Sequence, residues 1–322
     1  MNRTTCHGRR FFRVAAASAA LLCVFCLPLL TGCKGGDGAT GKPRVVATTT
    51  MVADLVRRIG GDHVQLKVIM GPGVDPHTFK ASPDDVAELK GAKAIFYNGL
   101  HLEGKMVDLF ENQLKDTSVA VAGGVPETRL LSWQEGEGGA HDPHVWFDVE
   151  LWAMAAAPVR DKLIQIDPGH ADDYRKRHDE LASSLAALHK EVKDKLATIS
   201  TERRVLVTSH DAYNYFGKAY DVDVRGLQGI STETEAGLRE VNEAVEFIVR
   251  KKIPAIFVES SVNPKTIERV RDDCKQRGFD VKIGGELFSD AMGSPGQHPG
   301  YAVETYEGMV RYNVDTIVKA LK

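Results

Sequence analysis

The sequence predicts an α/β protein with two lobes, each built on a parallel sheet, joined by one long rigid helix, with a ligand cleft between the lobes. Three observations carry this. Short β-branched runs alternate with segments of helical spacing in both halves of the chain, the pattern of parallel strands connected by covering helices. The strongest helical signal lies near the middle, where it can connect two such units. The length of 322 residues is enough for two ordinary domains.

In the first half, order begins at "RVVATTT" (residues 44–50), a β-branched strand. "MVADLVRRIGG" follows with helical spacing and stops at Gly60-Gly61. "VQLKVIM" alternates as a strand does. Ser82, Pro83, Asp84 and Asp85 spell a helix start: a cap, a proline in the first turn, and acids at the positive end of the dipole. "AKAIFYN" is a short strand, a helix is expected over Leu102–Gln113, and "SVAVAGG" is a strand. Residues 132–142, "SWQEGEGGAHD", read as a loop, and a helix is expected from Val149 to Ile164.

Asp167 then caps and Pro168 opens the longest helix. Tyr174, His178, Leu181, Leu185, Leu188, Val192 and Leu196 recur at steps of three and four, with no breaker before Ile199. About 32 residues at about 1.5 Å each give a rod of about 48 Å, more than one small lobe needs. Beyond it "RVLVTS", "DVDVRGL", "AIFVES" and "DVKIGG" are strands. Helices separate them at "AYNYFGKAY", Ala236–Arg250 and "NPKTIERVRDDCKQRG", and a last helix covers Ala302–Leu321. The expected division is a lipoprotein signal peptide over 1–32, a flexible tether over 33–42, lobes over 43–165 and 201–322, and the linking helix over 166–200.

The chain is 43% apolar and 26% charged, as a globular protein is, and its formal charge of −3 argues against a nucleic-acid partner. Arg3, Arg9, Arg10 and Arg13 precede an apolar run from Val14 to Leu30, and "LTGC" ends at Cys33, the pattern of an export signal. The run is short for a membrane span and contains Pro28. "LTGC" resembles the lipobox of bacterial lipoproteins, which makes Cys33 the lipidated new N-terminus. Cleavage removes four arginines and no acid, taking the formal charge from −3 to −7. Cys6, Cys23 and Cys26 leave with the signal, so Cys274 is the one thiol remaining besides Cys33 and no intramolecular disulfide can form.

Four side chains fall near the carboxyl ends of expected strands, where ligands of open parallel sheets bind. His77 follows "VQLKVIM", His144 follows the loop after "SVAVAGG", His210 directly ends "RVLVTS", and Asp290 follows "DVKIGG". Two come from each lobe. His77 and His144 share the tripeptide Asp-Pro-His, at 75–77 and 142–144, where proline holds Asp75 and Asp142 extended. Three imidazoles and a carboxylate make a closed shell for a transition-metal dication. Taken singly, a histidine after a strand is more often a capping or hydrogen-bonding residue.

"DPHTF", "YNGLHLEGKM", "DPHVWFD", "TSHDAYNYFGKAYD", "GGELFSDAMG" and "YEGMVRYNVDTIVKAL" together resemble the metal-binding family of bacterial solute-binding lipoproteins (cluster A-I), over about residues 43–322. The resemblance implies one divalent transition metal between the lobes, zinc first and manganese as the alternative. It places the ligands at His77, His144, His210 and Asp290. The partners it implies are an ABC membrane permease with its ATPase. The protein would be exported and anchored to the membrane through its N-terminal lipid, facing the periplasm or the cell exterior. Two departures stand out: the histidine-rich loop of many zinc members is reduced here to "EGEGGAHDPH", and the disulfide of some members cannot form. His101 reads as cleft lining, His298 as a solvated loop residue, and His141 as a transient landing point at most. Glu233 and Glu235 are candidates for orienting an imidazole N–H, and read equally well as helix-start acids. A metal-dependent hydrolase and an adhesin or structural lipoprotein are the competing functions, and "HExxH" is absent.

Overall fold

The computed structural model describes residues 41–133 and 140–322. The expected signal peptide over 1–32, Cys33 and nearly all of the tether lie outside the described residues, as does most of the acidic loop. Among the described residues no helix is long and apolar enough to cross a membrane.

The first lobe holds β1 (Arg44–Ala47), α1 (Thr50–Gly60), β2 (Gln65–Val68), α2 (Pro83–Lys90), β3 (Ala94–Tyr97) and β4 (Ser118–Ala120). The four strands run parallel in the order β2-β1-β3-β4. β3 is buried along its whole length and β1 after its first residue, as central strands covered on both faces must be, while the edge strand β2 alternates between exposed and half-buried. Ser82 and Asp85 close around Pro83 the capping box that the sequence spells, while Thr49, read with the first strand, lies beyond β1 and caps α1 by accepting from the Val52 N–H.

The helix expected over Leu102–Gln113 does not form as such. Gly104–Met106 makes one 3₁₀ turn and Leu109–Gln113 a π turn. Ahead of them Gly99, Leu100 and His101 all have positive φ. Glu103 is the reason: its buried carboxylate accepts from the Asn98 and Gly99 N–H groups and from Thr48 Oγ1, which ties the chain into a left-handed turn where a helix would start. Farther on, Asp108 accepts from Asn112 and Gln113, four and five residues ahead, and so favours the wider π register.

α3 (Val149–Ile166) is capped by Asp148. A 3₁₀ turn at Pro168–His170 separates it from α4 (Ala171–Leu196), whose 26 residues give about 39 Å instead of the expected 48 Å. Asp167 accounts for the difference. It closes α3 and accepts from His170 Nδ1 and Tyr174 Oη, so it holds a turn between two helices and does not cap α4. The predicted stripe of α4 is buried from Tyr174 to Leu196, save for the half-buried His178.

The second lobe comprises β5 (Val205–His210), α5 (Asn214–Tyr220), β6 (Asp223–Gln228), α6 (Leu238–Lys251), β7 (Ala255–Glu259), α7 (Lys265–Gln276), β8 (Lys282–Leu287) and α8 (Tyr306–Leu321). β5 pairs with β6 and β7 with β8, both parallel, and β5 lies beside β7. Cys274 is buried against the underside of this lobe among Ile267, Val270 and Ile256, an ordinary core position.

α4 does not bridge two separate cores. It packs on α1 and α3 on one side and on α8 on the other. One continuous apolar cluster runs from Val45, Leu55 and Trp152 through Leu181, Leu188 and Val192 to Phe257, Phe288 and Val314. Each lobe keeps a smaller cluster only on its outer sheet face. A shared core predicts one cooperative unfolding transition for the metal-free protein. Leu188→Ala should lower stability by about 2–5 kcal/mol and keep the transition single. Two resolved transitions in a urea titration followed by circular dichroism would contradict the shared core.

Candidate metal centre

His77 lies in the loop after β2. His144 lies in the turn that leads into α3, His210 is the last residue of β5, and Asp290 follows β8 by three residues. These loops and strand ends bring the four side chains together where the lobes meet, and all are buried. His77 Nε2 is 3.3 Å from His144 Nε2 and 3.7 Å from Asp290 Oδ2. Asp290 Oδ1 is 3.4 Å from His144 Nε2, and Asp290 Oδ2 is 3.3 Å from His210 Nε2. A tetrahedral shell with bonds of about 2.0–2.1 Å has edges of about 3.3–3.4 Å; these contacts approach that spacing, and one donor atom from each of the four residues lies within 4.8 Å of the others. His210 Nε2 and both oxygens of Asp290 are buried without a hydrogen-bonding partner. Orphaned buried polar atoms are costly, and a cation at the centre would satisfy all of them at once.

The repeated Asp-Pro-His has a direct explanation beyond a stiff backbone. Each aspartate turns its side chain onto the backbone N–H two residues ahead: Asp75 Oδ1 accepts from His77 at 2.9 Å and Asp142 Oδ1 from His144 at 3.0 Å. The two then diverge. Asp142 Oδ1 also meets His144 Nδ1 at 2.8 Å. The second oxygen of Asp75 instead accepts from Thr78 Oγ1 and, across the lobes, from Thr232 Oγ1 at 2.6 Å. At His210 the carboxylate comes from the neighbouring strand. Glu259 Oε1 accepts from the His210 backbone N–H at 2.8 Å, and Oε2 lies 2.5 Å from its Nδ1. Sequence reasoning missed both ring partners. The signal for Glu259 was a carboxylate at the end of a parallel strand, the same feature that marks His210.

Burial by itself pushes imidazoles toward neutrality and carboxylates toward protonation. His77 follows that rule: desolvation lowers it to about 4 against the pull of Asp290. At His144 burial acts downward too, but the Asp142 and Asp290 carboxylates overcome it and push the ring up to about 9. Burial likewise opposes the charge on His210, and Glu259 and Asp290 raise it well above the ordinary range. Burial would raise Asp290, but His210 and His144 hold it well below the usual carboxylate range. The four side chains thus form one electrostatically coupled cluster, in which burial and the neighbouring charges oppose each other.

The other candidates are placed elsewhere. Glu233 does not stand behind an imidazole: its exposed carboxylate pairs with Lys105 of the first lobe, while Glu235 lies on the rim of a broad cleft under α6. His101 is exposed and lines a cleft of about 260 Å³ together with His77, Lys105, Trp133 and Glu233. His298, read as a solvated loop residue, is half-buried, with its ring packed against Tyr312 at a tilt of 32° and a centroid distance of 4.1 Å. His63 and His170 stack on each other, far in sequence from the centre, each beside an aspartate.

Comparison with known proteins places this geometry. Residues 45–320 match the family model for the zinc-uptake complex component A, periplasmic (ZnuA). The chain belongs to the ZnuA family. It is 44% identical to the manganese-binding lipoprotein MntA of Bacillus subtilis over 314 residues, covering 96% of this chain and 100% of that one. It is 46% identical to the zinc-binding protein TroA of Treponema pallidum over 306 residues, covering 93% and 97%. The solved periplasmic zinc-binding protein TroA superposes with a TM-score of 0.82 over 87% of this chain and 99% of that chain. The ZnuA family thus supplies relatives named for either metal at nearly equal identity.

Four clustered, buried donors predict that a transition dication stabilises the folded protein, by about 2.7 kcal/mol at a hundredfold excess over Kd. Melting curves with and without added zinc check this. Replacing Asp290 by Ala should abolish the shift. A shift that persists in Asp290→Ala would place the ion elsewhere.

Proposed function

We propose that the protein is an extracytoplasmic solute-binding protein that captures one transition-metal dication and hands it to an ABC permease, whose ATPase drives uptake. His77, His144, His210 and Asp290 are its ligands, and zinc is the first candidate cargo with manganese the second. The observation that carries this reading is the closed shell of four buried donors drawn from both lobes. A catalytic zinc keeps a position open for water, and four protein donors at these distances fill a tetrahedron, which favours a carrier over a hydrolase. Three nitrogen donors favour zinc, since manganese prefers oxygen. We assign residues 43–165 and 201–322 to the two lobes, 166–200 to the connection between them, 1–32 to a cleaved signal and 33–42 to a tether that begins at a lipidated Cys33.

The cargo is checked by measuring the metal content of protein isolated from its own compartment, together with metal uptake by cells lacking the gene. Growth under chelation unaffected by the deletion would favour a structural lipoprotein. His77→Ala, His144→Ala, His210→Ala and Asp290→Ala should each weaken binding strongly, while His298→Ala and His141→Ala should not. Equal damage from His298→Ala would refute the ligand assignment.

His210→Glu should lower the zinc-to-manganese affinity ratio, because a carboxylate offers the oxygen donors manganese prefers. Competition calorimetry with both metals reads that ratio, and an unchanged value would remove His210 as a determinant of selectivity. Cys33→Ser should release the protein from membranes or block its processing. Unaltered membrane retention and electrophoretic mobility would count against lipidation.

A further inference from the structure

Glu259 is a buried carboxylate whose ion-pair partner among the described residues is His210. A carboxylate without solvent or a basic side chain is expensive to fold, so its place at the end of β7 calls for an explanation. Its two oxygens face two donors of one residue, the backbone N–H of His210 at 2.8 Å and the ring Nδ1 at 2.5 Å. The contact has an ion-pair distance without hydrogen-bond alignment; two heteroatoms that close repel unless a proton lies between them, and Nδ1, the stronger base of the pair, is the atom that carries it. The ring then turns its other nitrogen, Nε2, toward Asp290 and the centre of the cluster. Asp142 does the same for His144 from within its own tripeptide, receiving the backbone N–H and Nδ1 on one oxygen. Asp75 commits its second oxygen to Thr78 and Thr232, and so His77 lacks this support.

We propose that Glu259 is the positioning residue that fixes the ring state and donor strength of His210, and through it the preference of the site for zinc over oxygen-preferring dications. The proposal rests on His210 being a ligand and deepens that reading. An anion behind Nδ1–H makes Nε2 a stronger donor, and zinc gains more from a strong nitrogen donor than manganese does. The placement of the acceptors makes the carboxylate specific, because each oxygen faces a different donor. When Nε2 binds a metal, His210 presents two donors on this side, the backbone N–H and Nδ1–H. A glutamine at 259 in the same rotamer sets its oxygen against one of them and its NH₂ group against the other, donor facing donor. In the metal-free protein the same glutamine is satisfied, provided the ring moves its proton to Nε2 and lets Nδ1 accept. Glu259→Gln therefore leaves the empty site content and sets it against the metal.

The test is Glu259→Gln with two readouts. In metal-free protein with ¹⁵N-labelled histidine, the His210 signals (assigned through a His210→Gln variant) should show an Nδ1 proton in the wild type and none in Glu259→Gln. Titrated with zinc chloride and manganese chloride, the variant should bind zinc about 10–100-fold more weakly and lose less affinity for manganese, so the ratio falls. A wild-type His210 without an Nδ1 proton would overturn the proposal, and that measurement needs no variant to fold. Wild-type zinc affinity in a folded Glu259→Gln would overturn it as well. Failure of the carrier reading shows differently, as a wild type that takes up neither metal. Loss of the Nδ1 proton in the variant would then still support Glu259 as the group that sets the ring.

Discussion

Four buried polar side chains are brought together with a donor atom of each within 4.8 Å of the others, and the rest of the structure answers to that constraint. Left to themselves such groups would separate and hydrate, since unpaired polar atoms are costly to bury. They stay because each is held from behind. Asp75 and Asp142 grip the backbone beside His77 and His144, and Glu259 grips His210. Asp290 is fixed through its neighbours: Ser289 accepts from Trp146 Nε1 through its carbonyl, and Tyr213 and Asn313 both donate to the Phe288 carbonyl. A charged cluster assembled in this way is poised for a dication, which satisfies every donor with one atom.

That cluster could not be held between two independently moving bodies. The core runs unbroken through α4 from one lobe to the other, and aromatic groups cross the junction. Tyr306 donates to the Trp146 carbonyl, and Phe147 packs on Tyr213 with ring centroids 4.0 Å apart. α4 is thus a shared wall as well as a connection. The same packing keeps the His77 and His144 loops of the first lobe in register with the strand ends of the second.

On the open side the structure is different in kind. Of the four clustered side chains, His77 lines the outer cleft, and the residues around it are tied across the lobes by polar contacts, Thr232 to Asp75 and Glu233 to Lys105. Exposed ion pairs of this sort contribute little to stability. The neighbouring turn at Gly99–His101 is held in left-handed geometry by the buried carboxylate of Glu103. Strain of this kind persists only where the surroundings impose it.

Much of this was legible in the chain. The period of the apolar residues determined the strands, the helices and the stripe of α4, because side chains two or 3.6 residues apart face the same way wherever the segment sits. The cap at Ser82 and the positions of His77, His144, His210 and Asp290 after strands are likewise local facts. What the tertiary structure alone decided depends on residues far apart in sequence. Glu103 turned an expected helix into a strained turn by reaching back to Thr48, and Asp167 shortened the long helix by binding Tyr174. Leu188 and its neighbours on α4 joined the two lobes through one continuous apolar cluster. Glu233 went to Lys105, while Glu259, 49 residues from His210, took the place behind the ring. Periodicity reports which face of an element is buried. It carries no information about which carboxylate the packing of two neighbouring strands will bring against an imidazole, and that pairing sets the chemistry of the site.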